Sequence, residues 1–541
     1  MLGVACQDTD PEAPELDREN IEKIEELSES LANSLLDFSV AVRDRNLVRM
    51  GEHFSEPIQV RRLVFPLPER GSQKWVSESS AKGLADLDPV SLSRSQALDD
   101  WASFLDHFST IEDARLKVTE AEFSSQEAGI LGSGRIKFFV VGRDPAWKRL
   151  SVKGTGLFEA LYFEESWSIS SLTMDRIDAG LAETDLFSEV SLPAGVALTH
   201  PSFGGRAADF AYHGAAAGDI NRDGLIDLFV TGAQRNFLYI NRGDGTFEEV
   251  AEDAWLAITP RATAPLLLDY DNDGDLDLFL TAIGEQMLFE NRTDPGGRLA
   301  FIDSSSESGV SVRAVGFSAV AGDADSDGWP DIYVTSYNRY GQIMPDSWHR
   351  ARNGTANLLF INQKDGTFKE EAAAWGVQDT RWSYAAVFAD LNGDDRQDLY
   401  VANDFGENGF YLNLGDRFED RAESLGVLDP GNGMGVSLGD YNNDGLIDIH
   451  VTNMSSMAGQ RILNRLFPES DSRAGVLRKL ASGNTLLQGR ADGAFSDVSR
   501  EVGPFQAGWA WGGGFFDFDN DGWQDLYSPN GFISGKTMKD T

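Results

Sequence analysis

The chain has 541 residues, with 87 Asp and Glu against 46 Lys and Arg, for a formal net charge of -41. That balance excludes a basic face for nucleic acid and disfavours docking on anionic lipid. The 41% of hydrophobic and 11% of aromatic residues exclude an acidic disordered chain, and 55 glycines point to the many tight turns of a β-rich protein.

At the start of the chain stands its only cysteine, Cys6, so no intrachain disulfide can form. Gly3, Val4, Ala5 and Cys6, followed by the acidic Gln7–Glu12, resemble the end of a bacterial lipoprotein signal. The resemblance implies a tether over residues 1–20 and a lipid on Cys6 as the route to a membrane. An incidental thiol near a terminus is the competing reading. No run reaches the roughly 18 apolar residues of a membrane span.

Next, Ile24, Leu27, Leu31, Leu35, Phe38 and Val42 recur at spacings of three and four, which predicts an amphipathic helix. Trp101, Phe104, Leu105 and Phe108 predict a second helix, with Ser95 as its N-cap. Strands are expected over Arg115–Phe123, Arg135–Val141, Leu150–Phe163 and Ser166–Asp175. Residues 21–180 therefore read as an α+β unit with its sheet over the helices. In layout, with Asp37–Leu47 and Trp167–Leu172, this unit resembles the cone-shaped NTF2-like (SnoaL-like) fold, which implies no single activity. His53 and His107 could line a cone pocket but read as ordinary partly buried histidines.

Residues 186–541 repeat a unit built on an acidic nonapeptide, with oxygen-bearing side chains at its first, third, fifth and ninth positions. The copies are Asp219, Asn221, Asp223, Asp227; Asp269, Asp271, Asp273, Asp277; and Asp323, Asp325, Asp327, Asp331. The others are Asp390, Asn392, Asp394, Asp398; Asp440, Asn442, Asp444, Asp448; and Asp517, Asp519, Asp521, Asp525. The sixth position is glycine except in the fourth copy, where it is Asp395. First aspartates lie 50, 54, 67, 50 and 77 residues apart, which suits one four-stranded blade each, with two enlarged loops.

Such oxygens cannot all turn inward without a centre that neutralises them. Hard donors on a flexible loop select Ca²⁺ over Mg²⁺, which predicts up to six ions, one per loop. Val230 and Leu280 at the twelfth position exclude an EF-hand, which needs a glutamate there. A solvated Asx-rich turn would explain one copy but not six. Hairpins follow over Asn236–Phe247, Asn357–Phe368 and Asn484–Phe495. Their Asp-Gly pairs (244–245, 365–366, 492–493) read as two-residue turns with positive φ at both residues.

These loops and hairpins, with Gly512–Asp517 and Val401–Gly406, resemble the FG-GAP/VCBS repeats of integrin α-type propellers, in particular the cartilage acidic protein/UnbV (ASPIC) group. The resemblance implies a seven-bladed ring with calcium between the first two strands of each blade, and no known enzymatic activity. The fold class expected is mainly β: a calcium-binding β-propeller, six recognisable blades of seven, after an N-terminal α+β cone-like domain. The propeller is expected to be C-terminally incomplete, with Phe187–Val190 as an outer strand at ring closure.

The enlarged loops, 336–356 and 453–483, should lie opposite the acidic loops. The first carries Tyr337, Tyr340, Trp348, His349 and Arg350; the second carries Arg461, Arg465, Arg473, Arg478 and Lys479. They read either as a face for a protein or glycan partner or as cover for the channel. The expected function is non-catalytic binding at the cell surface, periplasm or outer membrane. The alternative is a calcium-dependent polysaccharide-acting enzyme, or a catalytic pocket in the NTF2-like unit.

Overall fold

The computed structural model describes residues 18–66, 76–81, 83–185, 187–197, 214–232, 234–258, 262–338, 343–467, 474–503 and 507–530. Cys6 and its tether up to residue 17 lie outside the described residues. The chain is mainly β and divides into two compact units between Ser188 and Glu189. Among the described residues no helix is long and apolar enough to cross a membrane.

In the first unit, helix α1 (Arg18–Arg43) buries Leu31, Leu35, Phe38 and Val42, the stripe that the spacing predicted. After the short α2 (Leu47–Glu52), helix α3 (Arg94–Leu105) buries Trp101, Phe104 and Leu105. Its N-cap is Ser93, not Ser95. Ser93 Oγ accepts the Gln96 N–H while the Gln96 side chain accepts the Ser93 N–H, a reciprocal box that only a glutamine or glutamate three residues on can close.

Three short strands, β1 (Phe54–Val60), β2 (Val76–Ala81) and β3 (Val90–Leu92), precede four long ones. The long strands are β4 (Thr110–Gln126), β5 (Gly129–Arg143), β6 (Arg149–Phe163) and β7 (Ser166–Ala182). The sheet runs β3-β1-β7-β6-β5-β4, with β2 also on β7 and β1 parallel to it. Ile136, Phe138 and Val140 alternate inward from β5 onto Phe38, Trp101 and Phe104, so helices and sheet share one core.

In the second unit the acidic repeats become antiparallel sheets in chain order. The first sheet is Ala215–Gly218, Asp227–Val230, Phe237–Asn241 and Phe247–Glu249. The second, Ala262–Leu268 to Phe301–Asp303, joins the third, Arg313–Gly322 to Phe368–Glu370, where Glu285 pairs with Arg313. The fourth runs from Trp382–Ala389 to Phe418–Asp420 and the fifth from Gly433–Gly439 to Phe495–Asp497. The sixth contains Gly514–Phe516 and Asp525–Tyr527.

The first strand of each sheet neighbours the first strand of the next. The cores lie between sheets: Phe279 and Leu288 of the second meet Ile332 and Phe360 of the third, while Tyr333 and Leu359 meet Leu399 and Val401 of the fourth. Every inner sheet is covered on both faces, which explains strands such as Asp331–Ser336 that are buried at each residue.

Two local expectations change. Phe187–Val190 forms no strand; it leads into a helical turn, Ser191–Ala194, closed by Gly195 in the left-handed region. An extended segment becomes a strand only beside a partner, and this one lies with Phe187 and Val190 exposed. In the hairpins, positive φ falls on Gly243 and Gly245, and on Lys364 and Gly366, so Asp244 and Asp365 stay in ordinary backbone. Each aspartate instead accepts the N–H and hydroxyl of the threonine two residues on.

Candidate metal centres

Each acidic nonapeptide is the connection between the first and second strands of its sheet, and its ninth residue opens the second strand. The loop turns sharply twice, through positive φ at its fourth and sixth positions. The fourth is Arg222, Asn272, Ser326, Asn443 or Asn520; the sixth is glycine at φ between 83 and 90° in five copies. The fourth copy moves its glycine to the earlier turn, Gly393, and Asp395 takes the later one at φ 65°.

The first aspartate ties the loop together. Asp269 Oδ1 accepts the Asp273 N–H at 3.0 Å and Oδ2 the Gly274 N–H at 3.0 Å. The same pair recurs at Asp219, Asp323, Asp390, Asp440 and Asp517. The fifth residue accepts the N–H two residues on, as Asp223 does from Leu225. These bonds use some lone pairs of each carboxylate and aim the rest across the loop.

The third position is different. Asp271 Oδ1, Asp325 Oδ1, Asn392 Oδ1 and Asp519 Oδ1 are buried and meet no hydrogen-bond donor. In the remaining loops Asn221 and Asn442 accept the N–H of the fifth residue at 3.1 and 3.2 Å. A buried oxygen without a donor is costly, and a hard cation relieves it. Carboxylate oxygens of Asp269, Asp271 and Asp273 lie within 4.8 Å of one another, as do those of Asp323, Asp325 and Asp331, and of Asp517, Asp519 and Asp521. The donor set is oxygen throughout, so these residues fit calcium.

The ninth aspartate faces two ways. Asp277 Oδ2 accepts the Tyr270 N–H at 3.2 Å and Oδ1 the Asn291 N–H at 2.8 Å, which binds loop, second strand and third strand together. Asp227, Asp331, Asp398 and Asp448 are equally buried and make the same two contacts. Burial pushes Asp277 up to about 8, Asp331 to about 7, and Asp398 and Asp448 to about 6, against the pull of those amides. Two loops already hold a cation of the chain on their fifth residue: Lys364 lies 2.7 Å from Asp327, and Arg396 pairs with Asp394.

The asparagine that ends the third strand of the first four sheets was visible in the hairpins, but its partner was not; the fifth sheet has Gly489 at that place. Asn291 Nδ2 donates to Ile220 O at 2.9 Å and Leu276 O at 3.0 Å, reaching the acidic loop of the preceding repeat. Asn362 reaches Tyr270 O and Asn413 reaches Ala324 O in the same way, each at 2.8–2.9 Å. Asn291→Ala is expected to cost about 2–4 kcal/mol in urea unfolding, because buried carbonyls lose their donor and a cavity opens. A change below about 0.5 kcal/mol would show that these links carry no stability.

The enlarged connections lie at the other end of their sheets. Tyr337 is buried, its hydroxyl donating to Asp404 at 2.6 Å, so it belongs to the core. Trp348 is 62% exposed and stands edge-on to Phe405, with Arg350 paired to Glu407 nearby. The second connection contains helices Met457–Leu466 and Gly475–Leu480, and Lys479 bridges Asp429 and Asp497. Tyr340 and Arg473, and the side chains of Arg461 and Arg465, lie outside the described residues.

In the first unit, a small cleft lined by Arg61, Asp100 and Trp101 holds one carboxylate, with Asp100 Oδ2 buried and unbonded. His107 stacks on Phe65 with ring centroids 3.9 Å apart, and His53 is edge-on to Phe38. Neither histidine lines that cleft.

A family model described as an FG-GAP-like repeat matches residues 219–280, 323–401 and 390–451. The chain carries FG-GAP-like repeats. It is similar to cartilage acidic protein 1 of Mus musculus and of Homo sapiens, at 29% identity over 244 residues, 43% of this chain. The match spans 32% of the mouse protein and 31% of the human one, about a third of their length. A lectin of Agrocybe aegerita aligns with 88% of this chain and 99% of its own, at 14% identity and a TM-score of 0.34. LinA aligns with 31% of this chain and 98% of its own, at 11% identity and a TM-score of 0.22. At such scores neither structure bears on the function of the FG-GAP-like repeats.

Proposed function

We propose that the FG-GAP-like repeats form a calcium-stabilised propeller that binds a protein or glycan partner outside the cytoplasm and performs no catalysis. The observation that carries the calcium reading is the row of buried third-position oxygens, in Asp271, Asp325, Asn392 and Asp519, that meet no donor. The first, third, fifth and ninth residues of each loop would hold the ion, up to six in all. Bound calcium supplies the positive charge that lets these carboxylates stay ionised together.

A propeller is supported by the neighbouring first strands and by cores that sit between successive sheets. We assign the partner face to the enlarged loops 336–356 and 453–483, in the first of which Trp348 and Arg350 stand exposed opposite the acidic loops. The reading is tested by native mass spectrometry of the full chain in a calcium series. Stepwise additions of calcium, saturating at or below six, are expected; a spectrum without calcium adducts at saturation would reject it.

A further inference from the structure

Residues of one acidic loop reach into its neighbour, and two such contacts fall on a first-position aspartate. Gln397, eighth in the fourth loop, accepts with Oε1 the backbone N–H of Asp323, first in the third loop, at 2.8 Å. Gln524, eighth in the sixth loop, accepts the N–H of Asp440, first in the fifth, also at 2.8 Å. Both approach over a glycine. A Cβ on Gly322 would stand 2.8 Å from Gln397 Oε1 and 2.5 Å from the Phe388 ring, and one on Gly439 would collide with Gln524 and Phe515.

The other loops lack this acceptor. Leu276 occupies the corresponding place beside Gly218, where a built Cβ would meet it at 2.7 Å, and Pro330 and Ile447 are the eighth residues of the third and fifth loops. The glutamine adjoins the buried anchor of its own loop: Asp398, next to Gln397, receives the Leu391 and Asn413 amides. Its acceptor fixes the backbone from which the Asp323 carboxylate departs, and that carboxylate organises the third loop through the Asp327 and Gly328 amides. Order in one loop is thereby passed to the first ligand of the loop before it.

We infer that Gln397 and Gln524 are positioning residues that couple neighbouring acidic loops. An ordered fourth loop raises the affinity of the third for a hard cation, and an ordered sixth loop raises that of the fifth. The inference rests on the calcium reading of the loops. Because coupling is reciprocal, filling the third loop also favours the ordered fourth.

Trp329 is the seventh residue of the third loop and Trp523 that of the sixth, so each is a local antenna for a bound lanthanide. In the full chain carrying Trp523→Phe, tryptophan-sensitised Tb³⁺ luminescence reads the third loop, and Trp329→Phe is the control that abolishes it. Gln397→Leu, which installs the residue found beside Gly218, is expected to weaken Tb³⁺ binding there about threefold to tenfold. Gln397→Asn, which keeps the amide one methylene short, is expected to show the same loss, so a folding defect in the leucine variant leaves the test intact. Disabling the fourth loop with Asp390→Ala should weaken the third similarly, and adding Gln397→Leu should weaken it no further. A Gln397→Leu curve that overlays its parent would overturn the coupling and leave the calcium reading standing. A parent without sensitised luminescence would overturn both.

Discussion

A calcium chelator is expected to lower the melting midpoint of the repeat unit by roughly 10 °C or more relative to saturating calcium. Three loops converge three carboxylates each onto a small volume, as at Asp323, Asp325 and Asp331, whose oxygens lie within 4.8 Å of one another. Their mutual repulsion, and the burial of third-position oxygens without donors, destabilise the metal-free form. Binding that is confined to the folded state adds about 2.7 kcal/mol per site at a hundredfold excess over Kd, and several sites add together. Magnesium, which keeps its waters and demands a tighter octahedron, should recover only part of the loss. Scanning fluorimetry with EGTA against excess calcium provides the comparison, and superimposed melting curves would remove the metal from the loops.

The second large effect is on pH. Without calcium, the ninth-position aspartates should make the repeat unit less stable as pH rises from about 4 to about 8. Burial raises Asp277 to about 8, Asp331 to about 7, and Asp398 and Asp448 to about 6. In the unfolded chain these groups release their protons near pH 4. Between the two values the folded state holds more protons than the unfolded one, so stability is lost as pH rises through the window and levels off above it. Each group contributes at most about 1.4 kcal/mol per pH unit within its own window.

Calcium binds the ionised form, so the decline should flatten when it is present. The first unit titrates with the opposite sign: Arg143 and Arg149 hold Asp185 down to about 2, so its contribution is lost only as pH falls toward that value. Urea midpoints of the repeat transition across a pH series, with EGTA and with calcium, read the difference. A chelated protein that gained stability from pH 5 to pH 8 would contradict the burial of these carboxylates.

The repeat was legible because its spacing is local. Nine residues set one loop, the apolar runs beside it set two strands, and the left-handed turn at Asp395 could be anticipated from the glycine in its sister loops. The long strands and the stripe of α1 were legible for the same reason. What stayed hidden joins residues far apart: Asn291 to Ile220, Asn413 to Ala324, Gln397 to Asp323. No periodicity announces a side chain whose partner lies in another repeat. The hairpin turns misled because an Asp-Gly pair fits more than one turn, and here the aspartate caps the threonine that follows it. The Ser93 cap was a different case, since Gln96 marked it in the sequence.

The cores of the repeat unit lie in the seams between sheets, and that has a consequence for how such a chain can change. A seam is complete once two neighbours meet, so a repeat can be duplicated by repeating an existing seam, with no central core to redesign. At the acidic end, asparagine and glutamine side chains tie the second, third, fourth and sixth sheets to the sheet before, and all six loops keep one length. At the opposite end Asn357 and Asn484 also reach the next sheet, yet the connections after Ser336 and Asn453 are longer than the other loops, at an entropic cost that rises only with the logarithm of loop length. One rim is held to a single loop length by its chemistry, and the other has room for longer connections.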